Sequence, residues 1–333
     1  MLEAGHPVPD ARGAAAAQRI ADLLAGLQPD DLVLVLISGG GSALLTQPAP
    51  GPSLADLQAM TRALLRCARR SSRSTRCANT PRACSAGSWR AWQAPAHVAA
   101  LVISDVIGSP PGRDRLRGPT TIRPDQLRRC LGGVSSATAC SVICRPRWWR
   151  TCATAWPARL ADTPKPGEGL WARVHNTVIA SNVIAAEAAV AAAQTRGFNA
   201  MLLTTYLEGE AREVGRVAAG LARELVLRNA PLARPALLVA GGETTVTLRG
   251  DGLGGRNQEL ALGAAEQLAG LPGALVVALA SDGGDGPTDA AGAVVSGDTL
   301  ARARAQGHSP AAFLARNDAY HFRTARATCC APA

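Results

Sequence analysis

The segment 241–259 combines closely spaced glycines with charged and polar side chains. It contains the motifs Gly-Gly-Glu-Thr-Thr at 241–245 and Gly-Gly-Arg-Asn-Gln-Glu at 254–259. Glycines at this density let backbone N–H groups approach a ligand closely. Arg256 supplies a planar cation whose geometry suits phosphate or carboxylate. The segment therefore indicates a site for an anionic ligand, with Arg256 as its charged group.

A second polar segment, 281–289, contributes the three aspartates Asp282, Asp285 and Asp289. Their oxygens suit a hard cation, and their spacing differs from that of a calcium-binding EF-hand. Mg²⁺ shared with a nucleotide fits them better, whereas solvated acids in a turn are the alternative. A cation, open amides and carboxylates within about 50 residues together predict a phosphate-handling site.

A glycine pattern at 250–255 also satisfies G-x-G-x-x-G and lies between a predicted strand and a predicted helix. This permits a nicotinamide-dependent reductase as an alternative function. The fingerprint is weak here, because no acid follows about 20 residues later to bind a ribose. A turn leading into a helix is the structural alternative. Arg256 at a helix start opposes the helix dipole, and a bound anion would offset that cost.

A further candidate is the loop formed by Ser38, Gly39, Gly40, Gly41 and Ser42, which follows the apolar run 31–37. Ligands of open α/β sheets bind at the carboxyl ends of strands. The loop is therefore a candidate anion cradle built from amides and hydroxyls, with an ordinary tight turn as the alternative. It is not a P-loop, because no Gly-Lys-Ser or Gly-Lys-Thr follows.

Two histidines, His6 and His321, are candidate acid or base groups. A lone histidine is more often structural, so neither is assigned to catalysis at this stage.

Strand and helix patterns alternate along the chain, which predicts a parallel, doubly wound α/β sheet. The run 31–37 is expected to be a strand buried on both faces. The other predicted strands are 98–104, 178–180, 199–205, 236–240, 244–248 and 275–280. The predicted helices are 10–27, 53–65, 181–195, 208–227, 256–268 and 299–306. Prolines near 229–235 predict a boundary between domains 1–230 and 235–333.

Composition limits the class of protein. The chain has 333 residues, of which 47% are hydrophobic, and this length predicts about two domains. No apolar run approaches the about 20 residues that a membrane span needs. No signal segment is recognisable at Met1, so a cytoplasmic protein is expected. The nine cysteines form no C-x-x-C pair, which argues against a zinc site.

Two basic stretches, 66–92 and 109–156, account for the positive charge. The first holds seven arginines and no acid, and the second holds nine arginines and two acids. Since the net charge of the whole chain is +10, the remaining sequence is net acidic. This removes most of the case for a nucleic-acid partner. The stretches lack helix or strand periodicity, and we interpret them as out-of-frame translation of a GC-rich gene. Two genuine basic loops are the alternative, and sequencing the DNA across these codons decides between them.

Several motifs together resemble the glycerate 2-kinases of the MOFRL family, whose members are often named putative hydroxypyruvate reductases. They lie at 5–10, 38–42, 163–167, 180–182, 208–213, 241–245, 254–259, 282–289 and 317–322. The resemblance implies ATP-dependent phosphorylation of D-glycerate to 2-phosphoglycerate with Mg²⁺. It implies a Rossmann-like N-terminal domain, a C-terminal α/β MOFRL domain and a site between them. Arg256 matches the family's site arginine.

The resemblance also guides the remaining site assignments. Substrate or phosphate binding is assigned to the loop 38–42 and to Glu243, Asn257 and Glu259. The three aspartates are assigned to the metal. D-Glycerate and the nucleotide are the expected partners, with no nucleic acid and no membrane.

The sequence departs from the family pattern in ways that predict impaired activity. The family's first strand, with its Gly-Ala-Gly-Lys-Ala segment, does not match the start at Met1, and this predicts an incomplete N-terminal sheet with poor solubility. The family has a second, lysine-containing Lys-Gly-Gly element, yet Lys165 is the only lysine here. Residues 113–119 replace the family's Ala-Ser-Gly-Pro element, and residues 323–333 form an aberrant tail. The alternatives are a hydroxypyruvate reductase using NAD(P)H, or a non-catalytic remnant that still binds nucleotide.

Overall fold

The chain folds as two compact units, Met1–Ser181 and Asn182–Ala333. The structure, a computed structural model, describes residues 1–6, 8–39, 41–47, 53–67, 96–104 and 169–322. Both units mix helices with strands that pair in parallel, so the predicted α/β class is confirmed. The segment 109–156, the tail 323–333 and nearly all of 66–92 lie outside the described residues.

The first unit contains a three-stranded parallel sheet in the order β1-β2-β3. Its strands are β1 (Leu32–Ile37), β2 (His97–Ser104) and β3 (Val174–Ser181). The register places Leu32 opposite His97, and Val98 opposite Val174. The central strand buries Val98, Ala100 and Val102 on one face, as expected for side chains that alternate between the faces of a sheet.

The prediction that β1 is buried on both faces is wrong. Leu32, Leu34 and Leu36 are 61–71% exposed. Only the opposite face has a packing partner among the described residues, because Val35 packs with the buried Ala17. A continuous apolar run therefore indicated a strand correctly but did not establish that both faces are covered.

The helices of this unit are α1 (Ala11–Ala25), α2 (Gly41–Leu44) and α3 (Leu54–Cys67), and a short 3₁₀ helix spans Gly169–Arg173. Capping residues are seen at the starts of α1 and α3. Asp10 accepts a hydrogen bond from the Gly13 amide at 2.9 Å. That bond, followed by the one from Arg12, lowers the pKa of Asp10 to about 2.

The capping box predicted at Ser53 is confirmed. The Ser53 amide donates to Asp56 Oδ2 at 2.9 Å, and the Asp56 amide donates to Ser53 Oγ at 3.2 Å. The hydrogen bonds from Ser53 lower the pKa of Asp56. The reciprocal pair satisfies two amides that the helix leaves without partners.

The second unit contains two two-stranded sheets and five helices among its described residues. The helices are α4 (Asn182–Gln194), α5 (Ala211–Arg228), α6 (Arg256–Leu268), α7 (Thr299–Ala305) and α8 (Pro310–Ala315), with single turns elsewhere. The strands are β4 (Asn199–Glu210), β5 (Ala236–Thr245), β6 (Leu275–Leu279) and β7 (Gly292–Ser296). β4 and β5 pair in parallel, whereas β6 and β7 pair antiparallel.

Two predicted elements of this unit need correction. Residues 208–210 continue β4, since Glu208 pairs with Glu243 and Glu210 pairs with Thr245, so the helix begins at Ala211. The two strands predicted around Gly241 are one continuous strand. A side chain at Gly242 would overlap the Leu207 backbone. Glycine is therefore needed here because β4 and β5 lie close together, and not because the chain turns. β7 and α8 were not predicted.

Two glycines allow α5 and α6 to pack with their backbones close together. A Cβ atom on Gly215 of α5 would overlap the Leu260 carbonyl of α6, and one on Gly263 would overlap the Arg212 carbonyl. The contact lies in a core rich in alanine, including Ala219, Ala261 and Ala264. Small residues at the interface therefore set the distance between these helices.

We expect alanine substitutions at two glycines of α5 to have opposite effects. Gly215→Ala should lower the free energy of unfolding by about 1–3 kcal/mol, because the helices must separate to admit the methyl group. Gly220→Ala should raise it by about 0.5–1 kcal/mol, because nothing lies within 4 Å of the added Cβ. Urea denaturation of both variants tests the prediction. Equal changes of the same sign would show that helix propensity, and not close packing, governs this face.

Among the described residues, no helix combines the length and the apolar character that crossing a membrane requires.

Candidate functional site

Four segments of the second unit converge at the start of α6. They are the loop 246–255, the first turn of α6, the loop 280–291 and the turn 316–321. The Gly252 amide donates to the Arg316 carbonyl and the Tyr320 amide donates to the Leu253 carbonyl, both at 2.9 Å. A side chain on Gly255 would overlap Asp285. Residues up to 67 positions apart in sequence thus meet next to the start of α6.

Asp285 caps the first turn of α6. Its Oδ1 accepts from the Asn257 amide and from Asn257 Nδ2, each at 3.0 Å, and its Oδ2 accepts from the Gln258 amide at 2.8 Å. Asp285 is 1% exposed. The carboxylate occupies the positive end of the helix dipole. The anion expected to offset Arg256 at this helix start is therefore the chain's own Asp285.

Gln258 fixes the aspartate loop against α6. Its Nε2 donates to the Asp285 carbonyl at 3.2 Å and to Thr288 Oγ1 at 2.9 Å. Gln258 is fully buried, so these bonds form away from water and are costly to break. The loop that carries the three aspartates is consequently held to the start of the helix.

Arg256 itself remains half-exposed and is oriented by an acidic partner. Its guanidinium NH1 lies 3.2 Å from Glu243 Oε1 of β5. The two side chains are 46% and 51% exposed. The structure thus brings together Arg256 and Glu243, two of the residues predicted to form the site. A guanidinium has five N–H donors, so this single bond leaves donors for an anionic ligand.

Glu259, predicted to bind substrate or phosphate, is bonded to other residues of the second unit. Its Oε1 accepts from Arg212 Nε at 2.8 Å, and its Oε2 accepts from Asn317 Nδ2 at 3.1 Å. Arg212 NH2 also lies 2.6 Å from Oε1, but no N–H of NH2 is aimed at an acceptor, so we regard that contact as purely electrostatic. Glu259 is 2% exposed. Glu259 thus lies in a buried ion pair, and its assignment to substrate binding stays a prediction.

Asn317 organises the loop that contains the G-x-G-x-x-G pattern. Its backbone is left-handed, with φ of 57°. Its Oδ1 accepts from the Arg249 amide at 2.6 Å and the Gly250 amide at 3.2 Å, and its Nδ2 donates to the Thr247 carbonyl at 3.1 Å. The side chain thus closes the loop onto the turn 316–321.

The glycines of this loop are explained by packing within the chain. Side chains at Gly250 or Gly252 would meet the backbone of Arg316 at about 2.6 Å. The Leu253 amide donates to Asp318 Oδ1 at 3.0 Å. The amides of Gly250, Gly252 and Leu253 are therefore bonded within the protein and are not open to the pyrophosphate of a dinucleotide.

The three aspartates predicted to hold a metal do not converge. Asp285 caps α6, Asp289 accepts from the Tyr320 hydroxyl at 2.6 Å, and Asp282 accepts from the Gly284 amide at 3.2 Å. Over the ranges that the structure describes, no group of three His, Cys, Asp or Glu residues is placed to hold a metal ion. The three aspartates thus have separate partners, and their assignment to a metal stays a prediction.

A pair that the sequence analysis missed lies in the turn after α8. His321 Nδ1 is 2.6 Å from Asp318 Oδ1, and Asp318 is nearly buried whereas His321 is exposed. Burial alone would raise the pKa of Asp318, but hydrogen bonds from His321 and the Leu253 amide lower it below its ordinary value. The signal in the sequence was the three-residue spacing between the aspartate and the histidine.

The glycine–serine loop belongs to the first unit. Ser38 follows β1 directly and is exposed, Gly39 lies in a turn, and Gly41 begins the short helix α2. Gly40 and the side chain of Ser42 lie outside the described residues. The loop follows the carboxyl end of a parallel strand as predicted, and its role as an anion cradle stays a prediction.

Comparison with known proteins places this geometry in a family. Residues 236–331 match the MOFRL family, and residues 1–136 match DUF4147, a domain of unknown function. The chain is 39% identical over 329 residues to the D-glycerate 2-kinase of Thermotoga maritima, covering 96% of this chain and 73% of the relative. The chain belongs to the glycerate 2-kinase family. The predicted resemblance is thereby confirmed.

Other members of the glycerate 2-kinase family agree with this assignment. A crystal structure of glycerate kinase from Thermotoga maritima superposes with a TM-score of 0.77 at 35% identity, covering 96% of this chain and 73% of that one. A glycerate 2-kinase from Pyrococcus horikoshii is 37% identical, with coverage of 96% and 71%. A relative from Agrobacterium vitis, 39% identical with the same coverage, is named a putative hydroxypyruvate reductase.

The segments around Arg256 fall within the MOFRL match of this glycerate 2-kinase family member. Arg212, which forms an ion pair with Glu259 of α6, lies before the first residue of that match. The predicted domains 1–230 and 235–333 differ from the compact units 1–181 and 182–333, because β4 pairs with β5 across the predicted boundary. The domain bounds stay a prediction.

Proposed function

We propose that this chain transfers the γ-phosphoryl group of ATP to the C2 hydroxyl of D-glycerate, giving 2-phosphoglycerate and ADP. The carrying observation is the half-exposed Arg256 guanidinium at the capped start of α6, in a chain 39% identical to a D-glycerate 2-kinase. Several relatives bear the name glycerate kinase, which supports the same reaction here.

Arg256 suits the charge that develops in phosphoryl transfer. The transferred group spreads negative charge over its equatorial oxygens, and a preorganised cation stabilises that charge. Glu243 limits the motion of the guanidinium through its 3.2 Å contact. A planar fork that is already oriented loses less conformational freedom when the phosphoryl group arrives.

Because Asp285 occupies the amides at the start of α6, we propose that the side chain of Arg256, and not those amides, binds the phosphoryl group. The Asn257 and Gln258 amides donate to Asp285, so they are committed before any phosphate binds. The helix start therefore positions Arg256 and does not itself cradle the nucleotide. The loop 38–42 is the proposed anion cradle of the first unit.

Mg²⁺ enters the proposal only as the usual companion of ATP. The described aspartates do not fit a protein cage for it, because Asp285 is buried with both oxygens bonded and Asp289 binds Tyr320. We assign no protein ligand and derive no step through the metal.

The alternative reductase function has one specific observation in its favour, the name given to the relatives from Agrobacterium vitis. The G-x-G-x-x-G loop does not support it, because its amides are bonded to Asn317, Asp318 and Arg316. The third possibility is a chain that binds nucleotide but catalyses no reaction, and an assay must distinguish it from the kinase and the reductase.

The full chain is to be incubated with D-glycerate and ATP–Mg²⁺ and, separately, with hydroxypyruvate and NADH or NADPH. We expect ADP and 2-phosphoglycerate to form only when both substrates are present, and NAD(P)H to persist. The rate should be below that of the Thermotoga relative at the same temperature, because Lys165 is the only lysine. Oxidation of NAD(P)H without ADP formation would replace the proposal with the reductase. Nucleotide binding without turnover would identify a remnant.

A further inference from the structure

Asp318 and His321 form a carboxylate–imidazole pair with the geometry of an oriented base. The His321 Nδ1 to Asp318 Oδ1 distance is 2.6 Å. The Asp318 side chain is 10% exposed and that of His321 is 59% exposed. The pair therefore presents an accessible ring on a buried, fixed carboxylate, as in catalytic pairs where an acid orients a histidine.

The carboxylate determines which ring nitrogen carries the proton. Asp318 Oδ1 also accepts from the Leu253 amide at 3.0 Å, and these bonds favour the ionised carboxylate. An ionised carboxylate only accepts hydrogen bonds, so Nδ1 is the protonated nitrogen of the neutral ring. Nε2 then holds the lone pair that accepts a proton.

The backbone places the turn that carries this pair against residues 253 and 254, which precede Arg256 in the chain. The Tyr320 amide donates to the Leu253 carbonyl at 2.9 Å, and a Cβ atom on Gly254 would lie 3.3 Å from the Ala319 amide nitrogen. The turn that carries His321 thus lies against the residues that immediately precede α6. Arg256 is the first residue of that helix, so the turn and the guanidinium belong to neighbouring segments of the second unit.

Arg316 and Tyr320, from the same turn, are neighbours of the pair. Arg316 acts on Asp318 through its charge, and it lies 3.6 Å from Asp251. The Tyr320 ring packs edge-on against His321 at a centroid distance of 5.3 Å, and its hydroxyl donates to Asp289. Asp318 is the acid in contact with the imidazole, and its carboxylate is the countercharge for the proton that the ring would accept.

We infer that His321 is the general base of the proposed kinase reaction and that Asp318 is its positioning residue. As the C2 oxygen of D-glycerate bonds to the γ-phosphorus, its proton moves to His321 Nε2. The bond between the γ-phosphorus and the bridging oxygen of ADP breaks, and ADP leaves as the anion. The imidazolium, stabilised by Asp318, returns the proton to water. This inference rests on the proposed function.

The first test is the pH profile of His321→Gln in the full chain. We expect kcat to fall by about 10²–10⁴-fold with a nearly unchanged KM for D-glycerate, as for loss of a general base. The wild type should lose activity at acidic pH as the imidazole is protonated, and the variant should lack this loss. His97→Gln is the matched control, because His97 is exposed at the amino end of β2. Retention of the acid loss in His321→Gln would overturn the inference.

A second readout separates this inference from the proposed function. If the wild type shows no turnover, ¹⁵N spectra of the histidine rings are recorded with and without D-glycerate. A shift of the His321 Nε2 signal, with His97 unchanged, would support the acceptor-binding base although the kinase proposal had failed. No change at His321 would reject the base. Asp318→Asn should alter the Nδ1 signal and lower kcat while sparing the fold.

Discussion

Replacing Arg256 with alanine is expected to lower the rate of D-glycerate phosphorylation by about 10³–10⁵-fold, the range that a transition-state arginine contributes in phosphoryl transfer. The effect should appear in kcat, because the guanidinium acts on charge that develops only in the transition state. The fold should persist, since Arg256 is half-exposed and its ion pair with Glu243 is a surface contact worth little stability. A coupled assay for ADP formation, with circular dichroism as the check on folding, measures both quantities.

Two matched variants isolate the chemistry of Arg256. Arg216→Ala removes an arginine of similar exposure whose partner is Glu213, and it should leave kcat within about twofold, as for surface changes away from a site. Arg256→Lys keeps the charge but loses the planar fork, so it should recover only part of the rate. Full activity in Arg256→Ala would remove the arginine from the mechanism, whatever the fate of the other proposals.

Local patterns allowed the elements around Arg256 to be predicted from sequence. The helix 256–268 was predicted with the bounds that the structure has, and the capping box at Ser53 forms as expected. The capping box and the backbone hydrogen bonds within the helix join residues fewer than five positions apart. Such contacts are encoded in the spacing of apolar and capping residues, which a single sequence displays directly.

Long-range contacts explain what the sequence did not reveal. Asp285 caps α6 from a position 28 residues downstream, so its role as a cap was invisible, and it was assigned to a metal instead. Glu259 was assigned to substrate because it follows Arg256 in one motif. Arg256 and Glu259 are three residues apart and therefore lie on the same side of the helix. Arg256 is half-exposed at the first residue of α6, whereas Glu259 is buried and faces Arg212.

The glycines show the same limitation. A glycine required by close backbone packing and a glycine required by a ligand look identical in sequence. At Gly250 and Gly252 the requirement comes from the turn around Arg316, and at Gly242 it comes from β4. A G-x-G-x-x-G pattern therefore indicates a dinucleotide-binding site only when the backbone amides of its loop are known to be free of partners within the protein.

Replacing Arg212 with methionine is expected to lower the free energy of unfolding by about 3–5 kcal/mol, because it leaves the Glu259 carboxylate buried without its countercharge. Arg212 belongs to α5 and Glu259 to α6, and Asn317 extends their pair to the loop 247–250. Loss of the pair should therefore loosen the helix start and the turn that carries His321. Amide hydrogen exchange of α6 and of residues 249–253, together with urea denaturation, measures the loss.

The neighbouring pair Arg216–Glu213 provides the control, because it lies on the same helix with both side chains about half-exposed. Arg216→Met should cost about 0–1 kcal/mol, as for exposed ion pairs. The double variant Arg212→Met with Glu259→Met should recover much of the stability, since two apolar side chains replace a charge that had lost its partner. If Arg212→Met and Arg216→Met cost the same, the Arg212–Glu259 pair does not support the site. The protection of residues 249–253 would then have to come from Asn317 alone, and Asn317→Ala would be expected to expose them.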